Sequence, residues 1–159
     1  MPIYPELPVN ANPPPPFADT LLTISGWGQL IFQARDLTQK IEPIKAASQV
    51  DRDVNAVAID LSNPAFRKYQ TTITCTDRRP PPFDNFWPGM VVEVSCVTPL
   101  CYPVGNPGSP TREEVHASSI TLNGFVFYLP ILTMLVQELS WQKEDWRANS
   151  PWSLTLVEQ

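Results

Sequence analysis

Alternation of apolar and polar residues with a period of two is the dominant pattern along this chain. In "KYQTTITCT", Tyr69, Thr71, Ile73 and Cys75 alternate with Gln70, Thr72, Thr74 and Thr76, which predicts a strand buried on one face. "MVVEVSCV" repeats the pattern with Met90, Val92, Val94 and Cys96 against Glu93 and Ser95, and "PWSLTLVEQ" ends the chain with Trp152, Leu154 and Leu156 in alternation. "TLLTISGW" from Thr20 and the stretch from Val54 to Leu61 predict further strands, the second closed by an Asn63-Pro64 turn. Asn123-Gly124 stands between two extended runs and predicts a type I′ hairpin, with Leu122 facing Phe125 and Ile120 facing Phe127. The run after that turn is apolar on both faces. Phe125, Phe127, Leu129, Ile131 and Leu135 share one face, and Val126, Tyr128, Leu132, Met134 and Val136 the other. Such a strand needs a central place in a two-layer fold or cover from another chain.

One segment departs from the period of two. From Gln29 to Ile41, Leu30, Ala34, Leu37 and Ile41 recur at helical spacings and predict one short helix that Pro43 would end, although "QLIFQA" also fits a strand. The fold expected is therefore mainly all-β, an antiparallel β-sandwich or barrel with one short helix.

Composition adds an arm to this picture. The 159 residues, 43% of them hydrophobic, suit one domain with a core of its own. Nineteen prolines are too many for strand and helix interiors and must occupy arms, loops and edges. Seven of them fall in residues 1–16, which predicts an extended, polyproline-II-rich arm over 1–18 and a single β-rich domain over 19–159. The arm fits a solvated tail or a segment that docks on a neighbouring subunit, and Ile3, Tyr4, Leu7, Val9 and Phe17 are more apolar than a tail requires.

Charge and candidate chemistry mostly exclude. A net charge of -5 argues against a nucleic-acid partner, which Lys and Arg would have to recruit. The N-terminus lacks the basic and apolar regions of a secretory signal, and the longest apolar run, "FVFYLPILTMLV", is short and broken by Pro130, so no membrane span and a soluble, cytoplasmically made chain are expected. Cys75, Cys96, Cys101 and His116 could supply a Cys3His set, but the cysteines are not at zinc-knuckle spacing. If Thr76 and Met90 paired across a hairpin, Cys75 would face Val91 and Cys96 would face Gln70. The two sulfurs would then sit roughly 16 Å apart along the ladder, beyond the Cα separation of about 7 Å that a disulfide tolerates. A Cys96–Cys101 bridge stays open. His116, the one histidine, has no nucleophile elbow around it, and Glu113-Glu114 and Glu144-Asp145 read as solvated faces. No catalytic, cofactor-binding or metal-binding residue is expected, and the chain is read as non-enzymatic.

The segment "RRPPPFDNFWPG" has a different character. Three consecutive prolines stiffen the backbone just before Phe83, Phe86 and Trp87, and rigid aromatics lose little entropy when a partner covers them. These rings could anchor an interface, cap the chain's own core, or do both. With the arm's Tyr4, Leu7 and Phe17, and with Tyr128 on the doubly apolar strand, they form the expected set of interface residues.

Taken together, "FRKYQTTITCTD", "PPFDNFWPGMVVEVSC", "FVFYLPILTMLV" and "EDWRANSPWSLTLVEQ" resemble small structural proteins encoded among the virion genes of tailed bacteriophages, over roughly residues 20–159. The resemblance implies a virion component made in the host cytoplasm and assembled in many copies, with copies of itself and other virion proteins as partners and with no cofactor. It fits a tail or tail-tip (baseplate) adaptor first and a capsid decoration or neck protein second. From another class, a carbohydrate- or peptide-binding module would use the aromatic loop as its contact surface.

Overall fold

The computed structural model describes residues 22–26, 35–45, 50–61, 63–77, 81, 83–108, 110–143, 145–146 and 148–159. The arm, and with it Tyr4, Leu7 and Phe17, lies outside the described residues. The fold is mainly β, with curled antiparallel sheets that form a half-barrel. Twelve strands are described: β1 (Thr23–Ile24), β2 (Arg35–Pro43), β3 (Val50–Arg52), β4 (Ala58–Asp60), β5 (Tyr69–Asp77), β6 (Val91–Ser95), β7 (Leu100–Pro103), β8 (Glu113–Glu114), β9 (Ile120–Leu122), β10 (Phe125–Tyr128), β11 (Pro130–Trp141) and β12 (Ser150–Glu158). The main sheet runs β1-β6-β11-β12-β5-β2, with β8 also on β11; β7-β10-β9 make a small sheet, and β3-β4 a two-stranded ribbon.

The alternating segments fold as their patterns require. Thr71, Ile73 and Cys75 of β5, Val92 and Val94 of β6 with Cys96 just after it, and Trp152, Leu154 and Leu156 of β12 point into one core with Leu132, Met134 and Val136 of β11. Met90 lies just before β6 and is exposed. Among the described residues two polar side chains go inside and both are hydrogen-bonded: Thr71 Oγ1 donates to the Lys40 carbonyl, and Ser150 Oγ to that of Gln142, as burial demands. One open seam of the half-barrel is stitched by Gln39, whose Oε1 accepts from the amides of Val97 and Thr98 at 2.8 and 3.2 Å, while Thr98 Oγ1 donates to the Gln39 carbonyl at 3.0 Å.

Four expectations need correction. Residues 35–41 are not helical but belong to β2, paired with β5. A spacing of four, as from Leu37 to Ile41, satisfies both a helix and a strand, and the partly buried Leu37, Gln39 and Ile41 alternate with exposed Asp36, Thr38 and Lys40. Val54 sits in the tight turn of the ribbon, where the Asp53 amide bonds to the Val57 carbonyl, and the strand begins only at Ala58. β5 and β6 are not hairpin partners, because β11 and β12 separate them. Finally, the doubly apolar run is two strands, not one. Its break at Leu129 is held by Ser118, whose Oγ accepts the Leu129 amide, and by the Val115 amide, which donates to the Leu129 carbonyl. Pro130, which cannot donate to a ladder, starts the next strand.

Candidate interaction surface

The Asn123-Gly124 hairpin forms in the expected register, Leu122 opposite Phe125 and Ile120 opposite Phe127. Asn123 and Gly124 have φ of 52° and 82°, as a type I′ turn needs. β7 flanks β10 on its other side, with Pro103 opposite Phe125 and Cys101 opposite Phe127. Directly opposed residues share a face of a sheet. Ile120, Leu122, Phe125, Phe127, Cys101 and Pro103 therefore stand together on one side of the small sheet. The four large ones are 66, 58, 45 and 38% exposed in that order, so a contiguous apolar face is left open to solvent, which is uncommon on a monomer.

The opposite side of the small sheet is built differently. Tyr102 and Tyr128 pack edge to face with ring centroids 5.6 Å apart, and they border a cavity of about 190 Å³ with Pro107, Thr111, Arg112 and Glu114. Arg112 is held hard in place. Its Nε and one terminal nitrogen donate to the two carboxylate oxygens of Glu158, both at 3.0 Å, and its other contacts are the carbonyls of Pro110 and Arg67 and the ring of Tyr69. Burial raises the Tyr128 phenol above its ordinary pKa, an effect that the Arg112 charge partly offsets.

The aromatic loop divides its residues between core and solvent. Phe83 opens a 3-10 turn and is buried, its ring stacked on Trp141 at 5.2 Å and edge-on to Trp152 at 5.7 Å. Phe86 is also buried, against the turn at Gly26. Trp87-Pro88-Gly89-Met90 is a β-turn, closed by the Met90 amide on the Trp87 carbonyl, with Gly89 at a φ of 97° that suits glycine. The turn leaves the Trp87 ring 72% exposed. Phe83 and Phe86, expected as interface residues, are buried in the chain's own core, where Trp141 and Trp152 pack on Phe83 and the Gly26 turn packs on Phe86. Trp87 alone of the three is presented outward, and Tyr128 faces the cavity with Tyr102 instead of the open apolar face. The ribbon β3-β4 adds a third exposed element. All of its residues lie at the surface, Val50 and Ile59 among them, although an isolated two-stranded hairpin is marginal in water.

The residues weighed for chemistry do not converge. Among the described residues no group of three or more His, Cys, Asp or Glu side chains is placed to hold a metal. Cys75 and Cys96 are buried, Cys101 is exposed, and none forms a disulfide, the Cys96–Cys101 pair included. Burial pushes the Cys96 thiol up to about 11, against a weaker lowering by its hydrogen bond with Gln39, which makes it a poor nucleophile at neutral pH. His116 is exposed in the turn between β8 and β9 and not on a strand. No helix among the described residues is long and apolar enough to cross a membrane. The chain matches no family model, no curated protein and no solved structure.

Ile120, Leu122, Phe125 and Phe127, which carry the open face, were not among the expected interface residues. The signal for them lay in the hairpin register, which already placed all four on one side.

Proposed function

We propose that this chain is a non-enzymatic structural subunit of a tailed-phage particle, a tail or tail-tip adaptor that assembles in several copies with itself and with other particle proteins. The observation that carries the reading is the apolar outer face of the small sheet, Ile120, Leu122, Phe125 and Phe127, set on a rigid hairpin and open to solvent. Burying such side chains against a neighbour contributes roughly 1.5 to 3 kcal/mol each by area. The exposed β3-β4 ribbon and the Trp87 turn offer further surface for such contacts. The phage context rests on the resemblance of the four segments quoted above. Capsid decoration and neck positions use the same surfaces and differ in symmetry.

A second reading has one observation in its favour. Trp87, Trp141 and Trp146 are all largely exposed, and flat aromatic rings at a surface also suit a carbohydrate-binding module. Sedimentation of the purified chain separates the two. Assembly through the small sheet predicts self-association that Phe125→Ser with Phe127→Ser abolishes. A chain that stays monomeric at every concentration, and that binds glycans through the tryptophans, would support the second reading instead.

A further inference from the structure

We propose that the outer face of the main sheet, where β11, β12 and β5 meet an irregularity in β2, is a binding site for a neutral saccharide, built from Asp36 and a row of hydroxyls. The cavity there measures about 390 Å³, about twice the one beside Tyr102 and Tyr128 and within the roughly 300 to 1,000 Å³ of small-molecule sites. Ladder register builds its floor. Ser140 of β11 lies opposite Ser153 of β12, and Ser153 opposite Thr74 of β5. Their chain neighbours Trp152 and Cys75 point into the core, so the three hydroxyls stand on the other face, in a row at strand spacings of about 4.8 Å. Thr76 and Pro151 pair on that same face, two residues along from Thr74 and Ser153. The Oγ atoms of Ser140 and Ser153 are 2.7 Å apart, so one hydroxyl hydrogen lies between them and the pair keeps the other, with lone pairs on both oxygens, for a ligand.

Asp36 reaches this floor because β2 is bulged. Two residues of β2, Asp36 and Leu37, fall between the positions that pair with Thr76 and Thr74, where β5 has Cys75 alone. Leu37 packs on the core, and Asp36 is the extra residue, held at a φ of 55° that aspartate adopts more readily than most side chains. Bulges re-aim side chains in this way, and Asp36 lines the cavity with Thr74 and Thr76. The chemistry of the lining selects the ligand. Arg35 and Asp36 are consecutive in β2, so the formal charge of this corner sums to zero and favours neither an anion nor a cation. Among the described residues no three His, Cys, Asp or Glu groups converge as a metal would need. A wholly apolar ligand would leave the hydroxyls unpaired. A sugar ring meets every condition. Its hydroxyls donate to the Asp36 carboxylate and exchange hydrogen bonds with the serines, the threonines and the Gln142 amide, all of which donate and accept. Pro151 and the half-exposed Trp141 at the wall offer apolar surface to its C–H face. This site lies on the main sheet and is independent of assembly through the small sheet. It gives the glycan reading a seat that includes Trp141 but neither Trp87 nor Trp146.

The test follows the resonances of the full chain while cellohexaose, maltohexaose, chitohexaose and mannohexaose are titrated in separately, with hexagalacturonate as an acidic comparison. The inference expects at least one neutral hexasaccharide to displace the signals of Thr74, Thr76, Ser140 and Ser153 saturably at millimolar concentration, and hexagalacturonate to bind more weakly. Asp36→Gly removes the carboxylate while suiting the left-handed backbone, and it should weaken that binding about tenfold or more, as loss of a charged hydrogen-bond partner does, with the urea midpoint unmoved. Thr74→Val, which keeps the strand, should weaken it as well. Unmoved signals with all four neutral saccharides overturn the inference, as does binding that both variants leave undiminished. Displacement confined to Trp87 and Trp146 would keep the glycan reading and overturn this site, and tighter binding of hexagalacturonate would overturn its assignment to a neutral ligand.

Discussion

Phe86 and Trp87 are neighbours in sequence with opposite environments, and replacing each with alanine separates core from surface within one turn. Phe86 is almost completely buried, packed on the β1 turn and within the main core. Removing a buried phenylalanine ring costs about 3 to 5 kcal/mol, the lost transfer energy plus the cavity left behind. For a domain of this length each kcal/mol moves the midpoint of thermal unfolding by about 2 to 4 °C, so Phe86→Ala should lower it by roughly 6 to 20 °C. Trp87 makes its turn contacts through its backbone, with its amide near the Met90 sulfur and its carbonyl accepting from the Met90 amide, and those survive truncation. Trp87→Ala should therefore stay within about 0.5 kcal/mol of the parent as an isolated chain. Urea unfolding followed by circular dichroism measures both. Equal losses in the two variants, or a Phe86→Ala chain as stable as the parent, would refute this division of the loop.

Two further predictions follow from buried polar groups. The folded thiol of Cys96 sits near 11 against an ordinary value of 9.0, so its contribution is fully present below pH 9 and is lost as pH rises from about 9 to about 11. The unfolded chain loses the proton first, and the stability drop of about 2 kcal/mol between pH 8 and pH 10.5 should flatten in Cys96→Ala when urea midpoints at the two pH values are compared. Arg112→Ala strands the nearly buried Glu158 carboxylate and should cost about 3 to 5 kcal/mol in urea unfolding. Arg112→Ala combined with Glu158→Leu should recover part of that loss, since breaking a buried pair costs more than replacing it.

Strands with one buried face were legible from the sequence because the period of two is imposed by a single core. β5, β6 and β12 follow it residue by residue, and Asn123-Gly124 allowed the hairpin register to be read directly. What stayed hidden depends on contacts distant in sequence. Leu37 and Ile41 satisfy helix and strand equally, and only the β5 ladder decides between them. Which strands pair is likewise not encoded locally, so β5 and β6, consecutive long strands in the sequence, looked like neighbours although β11 and β12 lie between them. In the apolar run from Phe125 to Val136, Pro130 was the one local sign of a division, while the Ser118 hydroxyl and the Val115 amide that hold the break at Leu129 arrive from the preceding turn. For the candidate surface, the aromatic character of "PPPFDNFWPG" was visible, but which rings turn inward was set by the Gly89 turn and by Trp141 and Trp152 across the sheet.

The central claim is that this chain is built into a particle through the outer face of its small sheet. Cryo-electron microscopy of purified virions carrying the chain, with mass spectrometry of the same preparation, tests it most directly. The account predicts several copies per particle in a fixed symmetry, with Ile120, Leu122, Phe125 and Phe127 buried against a neighbouring subunit. Particles that lack the chain, or copies in which that face is solvated at every position, would contradict it.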